Sequence, residues 1–196
     1  YGQQGNIEQA VKVLKDVPAD ERSPKIDLAL GAAYDQQKNI KLAISAYQAA
    51  LSIQPDNLDA QRALAEDLLS DNQVDAALKI FEGITTQDPE DAHSFLRLAE
   101  LERTQGHLDK AEAALQQAKA LDPDSVELHY NEAMLDEAQG HLNQSATLLQ
   151  QLADGTKHAN EQYTEDEKNN RAIFLDRLAT VYREQNKTSQ AIDVYK

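Results

Sequence analysis

The sequence predicts an all-α protein, a solenoid of antiparallel helix pairs, from three observations. The tetrapeptide Gln-Gly-His-Leu occurs at Gln105–Leu108 and again 34 residues on, at Gln139–Leu142. Pro55, Pro89 and Pro123 fall at the same 34-residue interval. The 196 residues are 41% apolar but only 5% aromatic, with no Trp, 7 Gly and 5 Pro. Self-similarity at such a period marks units that stack, because one helix pair cannot bury its apolar face alone. A core of Ala and Leu with few turn-formers suits helices better than sheets.

Each unit reads as two helices. Leu30, Leu64 and Leu98 align, followed at once by Gly31, Ala65 and Ala99. Ala43, Ala77 and Ala111 align further on, as do Tyr47, Phe81 and Leu115. Apolar residues at helical spacing define the first helix, which stops where Asn72, Gly106 or Gly140 can turn left-handed. The second helix ends before Gln-Pro or Asp-Pro, because the residue before proline is pushed out of the α region. The small residues let neighbouring helices approach closely, so bulk there is expected to overpack the contact.

The units are 24–57, 58–91, 92–125 and 126–153. A partial repeat, 1–23, precedes them, with a turn expected at Gly5-Asn6 and a helix over Ile7–Val17. An insertion, 154–171, separates the fourth unit from a truncated one, 172–196. The insertion is expected to hold a loop near 154–163. A capping box, Thr164-Glu165-Asp166-Glu167, then starts the next helix near 165. Glu132 stands where other units carry Leu30, Leu64, Leu98 and Leu178. A buried unpaired carboxylate is costly, so either that helix rotates locally or Glu132 finds a partner; rotation is the favoured expectation, with Tyr130, Met134 and Leu135 sharing the core role.

Composition narrows the function. Acidic residues outnumber basic ones 34 to 19, a formal charge of −15, which disfavours nucleic acid and anionic membranes as partners. Absence of cysteine removes disulfides, thiol chemistry and zinc–cysteine sites. No apolar run approaches the ~20 residues that span a bilayer. The chain starts at Tyr1 without Met, so a leading segment is expected beyond it. The compartment stays open, a cytoplasmic one ranking just ahead of a periplasmic or secreted one. No catalytic motif, Gly-rich phosphate loop or His-x-x-x-His pair is present, so no enzyme activity, cofactor or metal site is expected. His107 and His141 recur because the unit recurs.

The skeleton Leu30, Gly31, Tyr34, Ala43, Tyr47, Ala50, Pro55, with its counterparts in later units, resembles the tetratricopeptide repeat family. The family's usual early Trp is replaced by Asp27, Gln61, Phe95, His129 and Leu175. The resemblance implies a right-handed superhelical solenoid whose first helices line a concave groove. It also implies a non-catalytic protein-interaction scaffold that binds a peptide segment or helix. Carried over by position, the groove holds Arg62, Arg97, Glu100, Arg103, Tyr130, Asn131, Met134 and Arg177. Five of the seven arginines, Arg183 included, fall on such positions, but only Lys25 of the 12 lysines does. Arginine offers a planar fork suited to carboxylates and backbone groups. Tyr130 and Met134 would add apolar contact. The competing reading is that these arginines only neutralise Glu66, Glu100, Glu127, Glu137 and Asp176 on the same face. Some family members clamp the C-terminal carboxylate of heat-shock chaperones. The matching positions here, Leu28, Ala32, Ala63, His93 and Arg97, keep only the last arginine, so that ligand is not expected. Two alternatives remain: homo-oligomer formation through open repeat ends, and a regulatory region of a larger enzyme or membrane-anchored protein.

Overall fold

A computed structural model describes residues 2–18, 21–156 and 163–195. Eleven helices and no strands occur among them, and the backbone packs as two compact units, 1–89 and 90–196.

The first unit holds α1 (Gly2–Lys15), α2 (Pro24–Gln36), α3 (Ile40–Ile53), α4 (Leu58–Ser70) and α5 (Val74–Gln87). Here α2 packs on α3, α3 on α4, and α4 on α5. Helix α1 runs unbroken through Gly5-Asn6, where a turn was expected, and stops at Lys15 rather than Val17. One glycine weakens a helix by about 1 kcal/mol without forbidding it. Arg22 then ties the chain to α2: it donates to the Val17 carbonyl at 3.1 Å and faces buried Asp27 at 3.8 Å.

The second unit holds α6 (Ala92–Thr104), α7 (Leu108–Leu121), α8 (Val126–Ala138), α9 (Leu142–Gly155), α10 (Glu165–Glu184) and α11 (Thr188–Asp193). The expected loop near 154–163 falls mostly on 157–162, outside the described residues. On its far side Thr164 and Glu167 form the expected capping box and open α10 at Glu165. The Arg171 guanidinium reaches back to the Ala153 carbonyl and the Thr156 hydroxyl, fixing α10 against the end of α9.

Turn chemistry repeats with the unit. Lys38, Asn72, Gly106, Gly140 and Asn186 all take positive φ, between 59° and 81°. The next residue in each case donates its N–H to a carbonyl five positions earlier: Asn39 to Tyr34, Gln73 to Leu68, His107 to Glu102, His141 to Asp136 and Lys187 to Tyr182, at 2.7–2.9 Å. This closure satisfies carbonyls that a helix end otherwise orphans. Lys38 occupies the left-handed site against its residue type, while Asn186 carries the same signal as Asn72. At the other helix ends Gln54, Asp88 and Asp122 are extended, as the prolines that follow them require. Asn57, Asp91 and Ser125 each accept a backbone N–H and start the next pair.

Small and large residues sixteen positions apart line the four complete pairs, α2 to α9. Ala65 and Phe81 are fully buried, as are Ala133 and Leu149, and Ala99 and Leu115 share one core cluster. At Gly31 the approach is closest: a Cβ there would lie 2.4 Å from the Tyr47 ring. Glu132 finds partners at the expected core position, Lys119 Nζ at 2.9 Å and His129 Nδ1 at 3.2 Å. Met134 and Leu135 are buried beside it.

Two outcomes follow. Gly31→Ala is expected to lower stability by about 1–3 kcal/mol through overpacking, read as a lower urea midpoint. Lys38→Gly is expected to raise it by about 1 kcal/mol, because glycine pays no left-handed penalty. An unchanged midpoint in either variant contradicts the geometry described.

Candidate functional site

The candidate residues divide between the units. Arg62 lies on α4 of the first unit, 3.2 Å from Asp59 and 3.8 Å from Asp88. The other seven sit on the first helices of the second unit: Arg97, Glu100 and Arg103 on α6, Tyr130, Asn131 and Met134 on α8, and Arg177 on α10.

These seven do not all offer surface. Met134 is 5% exposed, packed with Ala133, Ala146, Leu149, Leu178 and Val181. Asn131 is 8% exposed, and its Nδ2 donates to the Glu127 carbonyl at 3.0 Å. Their helix turns both residues inward, so neither offers much surface in the unbound protein.

What remains is an arginine–carboxylate array around one tyrosine. Arg177 donates from Nε and Nη2 to both oxygens of Glu137, at 2.8 and 2.5 Å. Arg97 donates to Glu100 at 2.5 Å. Tyr130 packs on Phe174 with ring centroids 5.7 Å apart. Burial pushes its hydroxyl above the ordinary phenol value; Arg177 and Arg103 pull it down, while Glu137 and Glu100 push it up. Tyr130 is therefore a neutral donor and acceptor amid two cations and two anions. Arg103 differs from Arg97 and Arg177: its Nε is buried with no acceptor among the described residues. The array can bind polar groups through guanidinium forks and one phenol.

Sequence reasoning missed two further features of this unit. Glu102 is 2% exposed and held by His107 at 2.6 Å and Lys110 at 3.2 Å. Asp136 faces His141 at 3.4 Å. Glu102 and Asp136 are 34 apart, as are the two histidines, and that shared period was the available signal. A recess of about 690 Å³ between α7, α8 and α9 is lined by Leu115, Lys119, Glu132, Leu135 and Leu148. Glu132 borders it, which explains how a carboxylate fits at a register held by leucine elsewhere. Among the described residues no helix is long and apolar enough to cross a membrane.

Two models described as tetratricopeptide repeat match the chain, one over residues 1–57 and the other over 35–100 and 68–125. No curated protein matches the sequence significantly. Solved structures do match the fold. A tetratricopeptide repeat protein from Parabacteroides merdae aligns over 98% of this chain and 72% of its own, with TM-score 0.84 and 18% identity. MamA from Desulfovibrio magneticus aligns over 88% of this chain and 90% of its own, with TM-score 0.70 and 10% identity. A chain of the anaphase-promoting-complex hetero-tetramer Cut9–Hcn1 aligns over 98% of this chain and 36% of its own, with TM-score 0.75 and 15% identity. At these identities the likeness establishes the fold alone. With its helix pairs and matched repeats together, the chain belongs to the tetratricopeptide repeat family, an all-α solenoid fold typical of protein-interaction scaffolds.

Proposed function

We propose that the protein is a non-catalytic scaffold whose α6–α8–α10 face holds an extended or helical segment of another protein. Arg97, Arg103 and Arg177 contact the polar groups of that segment, and Tyr130 adds aromatic contact at the centre. The observation that carries this reading is Arg103. A buried guanidinium nitrogen without an acceptor costs free energy in the unbound protein. The Arg103 side chain is half-buried, so swinging outward to a carbonyl or carboxylate of a partner removes that cost on binding. Arg97 and Arg177 are partly exposed at 24% and 37%, so each can share its fork with a ligand while keeping its glutamate. On this reading the glutamates position the forks, whereas on the neutralisation reading they only offset the charge. Arg62, on the first unit, is proposed as a contact of its own. The family supports a scaffold role, and the fold is shared by a chain of the Cut9–Hcn1 assembly.

The test begins with a random peptide library displayed on phage and selected on the whole protein. Affinities of enriched peptides are then measured by fluorescence anisotropy. Replacing Arg97 and Arg103 together by Ala is expected to weaken binding by about tenfold or more, the loss typical of truncating anchoring arginines. Helicity by circular dichroism stays unchanged. No enrichment, or equal affinity for both proteins, overturns the proposal.

A further inference from the structure

Two polar residues of the first unit stand at registers that are largely apolar in the other repeats, and the fold brings a third to them. Asp67, on α4, occupies the register of Ala33, Leu101, Leu135 and Val181, all of them buried. Tyr47, on α3, occupies the register of Phe81, Leu115 and Leu149. Asp35, on α2, sits within reach of both. The Tyr47 hydroxyl donates to Asp35 Oδ2 at 2.6 Å. Asp67 is only 6% exposed, and its carboxyl meets that of Asp35. With both groups ionised, Asp35 Oδ1 and Asp67 Oδ2 are buried without a donor. Two orphaned oxygens, one on each partner of a facing pair, are what a single missing hydrogen leaves behind. A carboxyl group donates one hydrogen bond and a carboxylate accepts it. Carboxylates that share a site cannot both ionise cheaply.

We propose that Asp35 and Asp67 hold one proton between them, and that its loss above neutral pH loosens the packing of α2, α3 and α4. In the protonated state Asp67 Oδ2–H donates to Asp35 Oδ1, while Tyr47 donates to Asp35 Oδ2. Every oxygen named then has a partner. The titratable groups acting on the pair are Tyr47 from α3 and Glu66 from α4, beside the two aspartates themselves. All are acids, so none compensates a second negative charge. Burial first, then the Asp35 charge and hydrogen bond, push Asp67 up to about 7. Burial and the same aspartate also push the Tyr47 hydroxyl up, so it stays a donor throughout. An unfolded chain releases this aspartate's proton near 3.8, whereas folded Asp67 keeps it to about 7. Stability from this pair is therefore complete below the first value and is lost as pH rises through the second. The device lies in the first unit and does not depend on the binding face of the second.

Carbon-13 NMR of the aspartate carboxyls in the intact protein tests this directly. Asp67 is expected to titrate near neutrality, and Asp35→Asn to move its midpoint downward. Thermal melts supply the second reading. The wild-type Tm is expected to fall several degrees further between pH 5 and 7.5 than that of Asp67→Asn. Asp67→Leu, which restores the apolar register of the other units, is expected to flatten the profile in the same way. An Asp67 carboxyl that titrates with ordinary aspartates near pH 4 overturns the proposal. So do parallel Tm profiles for wild type and both variants.

Discussion

The close approach of paired helices is the constraint on which the structure depends. A small residue on the first helix faces a bulky one sixteen positions later on the second, and the match recurs from unit to unit. Gly31 with Tyr47 is its tightest form, since the ring occupies the space a methyl group would need. Ala65 with Phe81, Ala99 with Leu115 and Ala133 with Leu149 are gentler forms of the same fit. Tight fit between two fixed backbones makes a core that cannot deform continuously. Left-handed turn residues and pre-proline breaks then only have to deliver the helices at the right lengths.

Because the packing consumes one side of each first helix, the remaining side is free to vary. In the second unit that variation takes the form of charge. Arg97 with Glu100 and Arg177 with Glu137 hold each other in place, and Tyr130 lies among them. Partly exposed ion pairs of this kind contribute little to folding. On the proposed function their value lies in orientation, because a fork held by one carboxylate would already be aimed when a partner's acceptor arrives. In the first unit the variation turns inward instead, and produces the Asp35–Tyr47–Asp67 cluster.

Much of the fold was legible because period, proline spacing and small-residue register are local signals repeated several times. The left-handed sites at Asn72, Gly106 and Gly140 were readable, since those residue types favour positive φ. Lys38 was not, because register alone places a lysine there against its preference. The turn expected at Gly5-Asn6 failed because glycine permits a turn without compelling one. Side-chain direction was less legible than backbone. Asn131 and Met134 stand at groove positions by count yet point inward, since a rotation of a few tens of degrees decides exposure and leaves no trace in spacing. Glu132 found a cation on the neighbouring helix instead of swinging its own helix away. Asp67 carried a clear signal, an acid in an otherwise apolar register, that only a position-by-position comparison of units brings out.

The most direct measurement is a double-mutant cycle between positions 31 and 47. Gly31→Ala with Tyr47→Leu recreates the alanine–leucine pairing of Ala99 with Leu115 and Ala133 with Leu149. Loss of the tyrosine hydroxyl is common to both Leu variants and cancels in the cycle. If complementary bulk holds the helix pairs together, the double variant is more stable than the sum of its singles allows, with a coupling of about 1 kcal/mol or more in urea unfolding. Strict additivity would show that the two positions do not sense each other, and would contradict the account.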